Sequence, residues 1–226
     1  MRRARSKRLD AVLVLFCRRP RLGEGKQRLS RALGASAALT ISRALLDCAL
    51  EDAAAWPGTL VIAPYGTADA TWAAGLLARA VAVQPQPGGN LGERLSAVDA
   101  AVRALGHERL LFIGSDAPSL TVPDLCAAAA ALERSDVVLA AAQDGGVTLM
   151  GARCGWPDLA PLPWSEPSLG RALESACRAR GLSVTQMAPS YDVDEASDLA
   201  TARRALAADS RPARRRLREL LLGFTA

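Results

Sequence analysis

Short apolar runs recur along this chain, and each run stops at a turn of small or polar residues. Four of them span 11–16, 59–63, 110–113 and 136–142. A run of four to eight apolar residues bounded by turn residues is typical of a strand that is buried on both faces. Helical patterns separate the runs. This order of elements predicts βαβ units and a mostly parallel sheet.

The clearest helical pattern precedes the run at 110–113. Apolar residues follow one another there at steps of four and three and share one face: Leu91, Leu95, Val98, Val102 and Leu105. Further helices are predicted around Ile41, Leu45 and Cys48, over 68–79, from Thr121, over 168–180, and from a cap at Asp194 to Leu206. Short strands are predicted over 81–84, 147–151 and 182–187, the middle one as a hairpin or an antiparallel edge.

The chain is long enough for one large domain with a buried core. Its 226 residues are 50% hydrophobic and 23% charged, which is the composition of a globular protein. We find no internal repeat and no convincing linker, so we expect a single α/β domain over 11–208. A disordered basic leader over 1–10 and a basic amphipathic tail over 209–226 are expected to flank it.

Positive charge is concentrated near both ends of the sequence. The net charge is +5; ten of the 28 Lys and Arg residues lie at or before Arg28, and seven more lie between Arg203 and Arg218. Such clusters favour anionic partners such as phosphates, although solvated basic ends have the same composition. Aromatic residues are not interleaved with the basic ones, so we expect no nucleic-acid partner.

The apolar runs are shorter than the roughly 20 residues of a membrane span, so we expect no transmembrane segment. The run at 11–16 follows basic residues, as in a signal peptide, but it has no small-residue cleavage site and leads directly into Arg18 and Arg19. Five scattered cysteines without a C-x-x-C pair indicate a reducing compartment. We therefore expect a cytoplasmic protein, and the sequence does not indicate an oligomeric state.

The run at 110–113 leads into Gly114-Ser115-Asp116, where a single acid follows a buried strand. In an open α/β sheet, ligands bind beyond the carboxyl ends of the strands. A carboxylate at such a position suits a divalent cation that neutralises a phosphate. Asp also shapes turns and caps helices, and this stretch alone does not separate the two interpretations.

The loop after the first run combines glycine with positive charge. Gly23 and Gly25 permit a ligand to approach the backbone closely. The cations nearby are those that a nucleotide diphosphate needs: Arg18, Arg19, Arg21, Lys26 and Arg28. The loop matches neither G-x-x-x-x-G-K-[ST] nor G-x-G-x-x-G, and a solvated basic loop would have the same composition.

Other polar stretches are also candidates. Residues 86–94 place glycines before a helix whose first turn holds Arg94, which suits a base or ribose but equally an ordinary turn. Acids in 144–146 and 191–195 could complete a metal site with Asp116 or activate an acceptor hydroxyl. His107 is the only histidine, which argues against Ser-His-Asp triads and histidine-based zinc sites.

Six motifs follow one another along the chain: LFCRRPxxGxxKxRL from Leu15, QxGxxLGER from Gln86, IGSDxPxL from Ile113, DGGxxLxG from Asp144, PWS from Pro163 and YDVDxxxDL from Tyr191. This set covers about residues 11–206 and is similar to the DUF2064 family. The family comprises GT-A-fold proteins that resemble nucleotide-diphospho-sugar transferases, and some members are described as arsenosugar-biosynthesis glycosyltransferases.

The resemblance implies a Rossmann-like GT-A fold, a three-layer α/β sandwich with a mostly parallel central sheet. It implies Mg²⁺ or Mn²⁺ at Asp116, with Asp194 as a second metal ligand or site carboxylate. Lys26, at the departing diphosphate, and Asp144, at the sugar or acceptor, would be catalytic. The implied nucleotide-binding residues are Arg18, Gly23, Lys26, Arg28, Gln86, Gly89, Arg94 and Ser115, with Lys26 and Arg28 near the phosphates and Gly89 and Arg94 near the base and ribose.

The implied function is a metal-dependent glycosyltransferase, which moves a sugar from a nucleotide-diphospho-sugar to a small acceptor. The alternative on the same fold is a nucleotidyltransferase, of the guanylyltransferase type that acts on phospholactate-like acids, joining an NTP to a small phosphorylated acid or sugar phosphate. A non-enzymatic nucleotide-binding regulatory or scaffold protein is the third hypothesis.

Three positions depart from the family pattern. Arg18 and Gln27 stand where the family usually has Lys and Thr, and Val147 stands where it usually has Tyr. Arg18 keeps the positive charge that a phosphate needs. The missing aromatic ring at Val147 predicts either an altered choice of acceptor or a degenerate enzyme.

Overall fold

A seven-stranded sheet forms the centre of the molecule. In the computed structural model, which describes residues 9–224, the strands are β1 (Val12–Cys17), β2 (Thr59–Pro64), β3 (Ala82–Val83), β4 (Leu110–Ile113), β5 (Val137–Ala141), β6 (Val147–Ala152) and β7 (Val184–Gln186). Their order across the sheet is β3-β2-β1-β4-β6-β5-β7. The basic leader expected over 1–10 lies almost entirely outside the described residues.

Helices cover both faces of this sheet. They are α1 (Gln27–Leu33), α2 (Ala35–Ala55), α3 (Ala70–Ala74), α4 (Leu91–Ala104), α5 (Val122–Ala131), α6 (Leu169–Ala179), α7 (Asp198–Ala205) and α8 (Pro212–Leu222), with a 3-10 turn over Thr67–Asp69. Alternate strand residues face opposite clusters: Leu13 and Leu15 pack with α2, α3 and α5, and Val12 and Val14 pack with α4 and α6. The predicted three-layer α/β sandwich is confirmed.

The β5–β6 hairpin is inserted into the middle of the sheet. The sequence predicts 147–151 as a hairpin strand or an antiparallel edge; the hairpin is correct, but β6 also pairs with β4 and so lies inside the sheet. Because β4 and β5 both run antiparallel to β6, they point the same way. The hairpin turn, Asp144-Gly145-Gly146, therefore lies at the edge where the parallel strands end.

The helix predicted over 68–79 is wrong beyond Ala74. Gly75 follows the last helical residue, and glycine has a low helix propensity. The chain then turns so that the Arg79 guanidinium donates a hydrogen bond to the backbone carbonyl of Trp56 at 2.7 Å. This tertiary contact explains why the pattern does not continue as helix.

Two other helix ends differ from the expectation. Helix α4 ends at Ala104, so Leu105 is 70% exposed and does not belong to the buried stripe. Helix α7 begins at Asp198, whose carboxylate accepts hydrogen bonds from the backbone N–H groups of Asp194 and Glu195. Asp194 therefore does not cap the helix, and its carboxylate has a different partner.

The C-terminal helix α8 packs against α2 and α7 in a third buried cluster. Its Arg214 is fully buried, and the guanidinium donates to the carboxylate of Asp52 and, at 3.1 Å, to the backbone carbonyl of Leu120. Leu120 lies in the loop after β4, so α8 is tied to the segment that carries Asp116. Across residues 9–224, every helix is too short or too polar to span a bilayer.

Candidate functional site

A cavity of about 660 Å³ lies beyond the carboxyl ends of the parallel strands. Strands β1 and β4 are neighbours in the sheet, with β2 and β3 on one side and all later strands on the other. Such a reversal of strand order leaves a crevice between the loops that follow the two strands. Seven predicted site residues line the cavity: Arg18, Lys26, Arg28, Ser115, Asp116, Asp144 and Asp194.

Lys26 connects the two loops at this crevice. Its ammonium donates to Oδ2 of Asp116 at 2.9 Å and to Oδ1 of Asp194. The Lys26 side chain is only 14% exposed, and those of Asp116 and Asp194 are 37% and 43% exposed. Burial would lower the pKa of Lys26, but the charges of the two carboxylates raise it above its usual value. Burial would raise the pKa of Asp116, but the Lys26 charge lowers it. This ion pair is therefore charged on both sides at neutral pH.

The other cations of the first loop are mostly paired with nearby acids. Arg21 donates to Oδ1 of the buried Asp69 at 2.6 Å, and Arg19 lies 3.8 Å from the same oxygen. Arg28 pairs with Glu195 at 2.9 Å. The sequence predicted the positive charge of this loop, but not that the tertiary structure partly neutralises it.

Tyr65 joins two of the predicted nucleotide-binding residues, although the sequence analysis did not select it. The guanidinium of Arg18 lies 3.8 Å from the ring centre, and that of Arg94 lies 5.0 Å from it. Burial and the nearby charge of Arg18 lower the pKa of Arg94. Gln86 is buried below and supports the cluster: its amide donates to the carbonyl of Ala63 at 2.6 Å and accepts from Arg94 at 2.7 Å. An aromatic residue in the turn after a predicted strand was the available signal.

Four of the predicted nucleotide-binding residues do not line the cavity: Gly23, Gln86, Gly89 and Arg94. Gly89 has a φ of 104°, and a Cβ there would lie 2.4 Å from Oε2 of Glu93. That oxygen accepts the backbone N–H of Asn90 in the capping box that starts α4. The helix start alone therefore requires a glycine at position 89.

Asp144 and Asp192 add negative charge at the same edge of the sheet. Both line the main cavity and an adjoining cavity of about 350 Å³. One carboxylate oxygen of Asp144 accepts the backbone N–H of Gly146 at 2.9 Å. Burial raises the pKa of Asp192 to about 7, and the negative charges of Asp116, Asp194 and Asp144 contribute. The four carboxylates are therefore close enough to interact. The sequence marked Asp192 only as one of a string of acids.

The loop 156–167 forms another wall of the cavity, through Trp164 and its neighbours. It packs closely on α4: a Cβ at Gly92 would lie 2.0 Å from the backbone oxygen of Leu159. The same oxygen accepts a hydrogen bond from Nε1 of Trp164 at 2.8 Å. Gly92 in the LGER motif is thus needed for the approach of this loop.

Asp116 and Asp194 are the best placed groups for a divalent cation. Within residues 9–224, no three His, Cys, Asp or Glu side chains are grouped so that they could hold a metal ion. The two carboxylates nevertheless converge on one cation, the Lys26 ammonium. Mg²⁺ is often held by one or two carboxylates together with substrate phosphates. The donor set fits a cation that shares its ligands with a nucleotide.

Comparison with known proteins supports the sequence resemblance. The profile of a bacterial protein family, described as uncharacterized and designated DUF2064, matches residues 45–166, a little over half of the chain. None of the curated proteins matches the chain in sequence.

Several solved structures have the same fold. A Desulfovibrio desulfuricans G20 protein, provisionally named a nucleotide-diphospho-sugar transferase, superimposes with a TM-score of 0.84 at 24% identity, covering 95% of this chain and 97% of that one. A Methanothermobacter nucleotidyl transferase gives 0.52 at 16% identity, covering 94% and 98%. A Leptospira borgpetersenii cytidylyltransferase gives 0.52 at 12% identity, covering 95% and 94%. These similarities confirm the expected GT-A-like fold.

Proposed function

Since the chain belongs to the bacterial DUF2064 family, we propose that it is a metal-dependent glycosyltransferase that moves a sugar from a nucleotide-diphospho-sugar to a small acceptor. The fold supports a nucleotide-dependent transferase, because structures named as sugar and nucleotidyl transferases share it. The choice between sugar transfer and nucleotidyl transfer depends on the charged groups around the proposed acceptor position.

The observation that carries the proposal is the acidic lining of the adjoining cavity, whereas the main cavity also holds four cationic side chains, those of Arg18, Arg19, Lys26 and Arg28. The adjoining cavity is lined by one guanidinium and five carboxylates, those of Arg28 and of Asp144, Asp192, Asp194, Glu195 and Asp198. A phosphorylated acceptor would be repelled there, whereas a neutral acceptor hydroxyl could donate to a carboxylate. The acidic lining therefore favours sugar transfer to an uncharged acceptor.

In the proposed reaction, the bond between the sugar carbon and the diphosphate breaks, and the acceptor oxygen forms the new bond. Lys26 and Arg28 would bind the departing diphosphate, with Ser115 nearby, because cationic groups stabilise the charge that develops there. A divalent cation held by Asp116 and Asp194 would supply further positive charge at this position. Asp144 would orient the acceptor hydroxyl and take its proton.

The nucleoside is proposed to lie beside the Arg18–Tyr65–Arg94 cluster. The two guanidinium groups offer hydrogen-bond donors and planar faces for a base, and the ring of Tyr65 holds them in place. Gln86 would act by holding Arg94 in place, since both ends of its amide are already hydrogen-bonded. Gly23 and Gly89 would contribute backbone surface only.

The nucleotidyltransferase reaction is the second candidate. The pairing of Arg18 and Arg94 on one ring favours it, because two neighbouring guanidinium groups could bind the additional phosphate of an NTP. In that case the product of turnover is pyrophosphate, whereas sugar transfer releases a nucleoside diphosphate.

The test is a turnover screen of nucleotide-sugars and NTPs, with and without Mn²⁺. Release of a nucleoside diphosphate in the presence of an acceptor supports the proposal, and release of pyrophosphate from an NTP supports the alternative. Binding of a nucleotide without any turnover would instead support a regulatory or scaffold role.

Asp116→Asn and Asp144→Asn separate binding from chemistry. We expect Asp116→Asn to abolish metal-dependent nucleotide binding, measured by calorimetry. Asp144→Asn should retain that binding and lower the turnover rate by about 10²–10⁴-fold, the usual contribution of a general base. An unchanged rate for Asp144→Asn would exclude the proposed role.

A further inference from the structure

We propose that Lys26 is a displaceable counter-cation: its ammonium occupies the position between Asp116 and Asp194 that a divalent cation would take, and it leaves when a nucleotide binds. This inference rests on the proposed function, because it assumes that nucleotide and metal meet in this cavity. Its consequence is that the protein binds a divalent cation tightly only together with a nucleotide.

The carboxylates of Asp116 and Asp194 already have a cation in this structure. The Lys26 ammonium donates to one oxygen of Asp116 at 2.9 Å and to one oxygen of Asp194. A divalent cation between the same two carboxylates would be close to this ammonium, and the two positive charges would repel each other. Metal binding to the nucleotide-free protein therefore requires that the Lys26 side chain move away.

The Lys26 ammonium has space to move. Lys26 lines the cavity of about 660 Å³, and its four-carbon side chain is flexible. The backbone beneath it is held in place. The carbonyl of Lys26 accepts the backbone N–H of Ser30 at 2.9 Å at the start of α1, and in the same loop Arg21 binds the buried Asp69. The exchange would therefore be a rotation of the side chain and not a movement of the loop.

A nucleotide can replace the contacts that Lys26 and the two carboxylates give up. Phosphate oxygens can accept hydrogen bonds from the displaced ammonium, so Lys26 would not be left buried without a counter-charge. The same phosphates can complete the ligands of a cation for which two carboxylates are too few. By reciprocity, the nucleotide must strengthen metal binding by the same factor as the metal strengthens nucleotide binding.

The experiment measures Mn²⁺ binding to the full chain by the electron paramagnetic resonance signal of free Mn²⁺, with protein-free mixtures of Mn²⁺ and nucleotide as the baseline. Without nucleotide, we expect Lys26→Met to bind Mn²⁺ at least about tenfold more tightly than the wild type. Adding a nucleoside diphosphate, GDP or UDP, should tighten Mn²⁺ binding by at least about tenfold in the wild type and by much less in Lys26→Met.

Arg28→Met is the matched control. Arg28 lines the same cavity, but its guanidinium pairs with Glu195 and not with Asp116 or Asp194. Its loss removes one positive charge without emptying the cation position, so Mn²⁺ affinity without nucleotide should change by less than about threefold. An equal gain in both variants would show a general charge effect and overturn the proposal.

Further outcomes also decide the question. Equal Mn²⁺ affinity of nucleotide-free wild type and Lys26→Met would overturn the exchange, as would tight Mn²⁺ binding by the wild type alone. Lys26→Gln, with thermal unfolding of each variant, controls for damage to the fold. If Mn²⁺ and nucleotide strengthen each other's binding but no sugar is transferred, the proposed function is refuted and the exchange of the Lys26 ammonium for a divalent cation stands. Sugar transfer without this coupling would refute only the exchange.

Discussion

At the scale of single residues, Tyr65 holds two guanidinium groups beside the cavity. Tyr65 is 44% exposed, and its ring centre lies 3.8 Å from the guanidinium of Arg18. An exposed cation–π contact contributes about 0.5–1 kcal/mol. We expect Tyr65→Ala to weaken nucleotide binding by about two- to fivefold, measured by calorimetry. Tyr65→Phe keeps the ring and should bind like the wild type; an equal loss in both variants would assign the effect to the hydroxyl group.

A second residue-scale prediction concerns Gly92. A Cβ at this position would lie 2.0 Å from the backbone oxygen of Leu159 and 2.6 Å from Nε1 of Trp164. Such overpacking destabilises a protein by about 1–3 kcal/mol, and the higher helix propensity of Ala offsets part of this loss. We expect Gly92→Ala to lower the free energy of unfolding by about 1–2 kcal/mol in urea titrations.

The control for this change is Gly88→Ala. Nothing lies within 4 Å of a Cβ built at Gly88, so its substitution should leave stability nearly unchanged. If Gly92→Ala were equally harmless, the loop 156–167 could not be packed on α4 as tightly as the structure indicates.

Single residues also show which contacts cannot be predicted from the sequence. Asp116 and Lys26 were selected because each follows a predicted strand, and the structure does bring them together at 2.9 Å. Their sequence separation carries no sign of the ion pair, because only the adjacency of β1 and β4 places them side by side. Tyr65 was missed for the same reason: its two guanidinium partners come from other elements.

At the scale of secondary-structure elements, α8 is held to the rest of the molecule by a buried arginine. Arg214 donates to Asp52 and to the backbone of the loop after β4. Removing one partner of a buried ion pair costs about 3–5 kcal/mol when the other charge is left uncompensated. Asp52 keeps a second partner, because the guanidinium of Arg211 donates to it at 2.8 Å. We therefore expect Arg214→Met to lower the free energy of unfolding by less, about 2–3 kcal/mol, measured by chemical denaturation.

Arg215→Met tests whether this effect comes from the ion pair. Arg215 is the exposed neighbour of Arg214 on α8, so its loss should cost less than about 0.5 kcal/mol. Similar losses in both variants would mean that helix α8 is sensitive to any loss of charge.

Elements whose ends carry turn or capping residues were predicted best. The strand at 110–113 has the bounds that the apolar run indicates, and the helix after it begins with the expected capping box at Thr121. Elements whose ends are decided by tertiary contacts were predicted less well. Helix α3 stops at Ala74, and Asp198, not Asp194, stabilises the start of α7.

At the scale of the whole molecule, the group of carboxylates at one edge of the sheet makes stability depend on pH. Burial and neighbouring charges raise the pKa of Asp192 to about 7, whereas an unfolded chain has an Asp pKa of about 3.9. Between these values the folded protein binds a proton that the unfolded chain has released. The free energy of unfolding must therefore decrease as pH rises through this window.

We expect Asp192→Asn to remove this dependence. In metal-free buffer, the variant should be more stable than the wild type at pH 8 by about 1–2 kcal/mol, with a smaller difference at pH 5. Urea unfolding of both proteins at pH 5 and pH 8 measures this difference in stability. Asp47→Asn, on the exposed side of α2, is the control and should follow the wild type at both pH values.

The overall class of fold was predictable because alternation of strands and helices leaves few arrangements. The order of the strands in the sheet was not predictable, because β6 lies between β4 and β5 and no local sequence pattern encodes that position. The position of Asp144 depends on this order. It belongs to the site because the hairpin turn points to the same edge as the ends of β1 and β4.

The inserted hairpin also implies a sequence of events while the chain is being synthesised. Strands β1, β2 and β4 precede the hairpin in the sequence, so they leave the ribosome first. The second edge of β4 has no partner until residues 147–152 follow, and an open strand edge can pair with another chain. Hairpins form in microseconds, so β5 and β6 can close this edge soon after they emerge. Because Asp144 lies in the turn of that hairpin, protection of the nascent sheet and completion of the cavity occur in the same step.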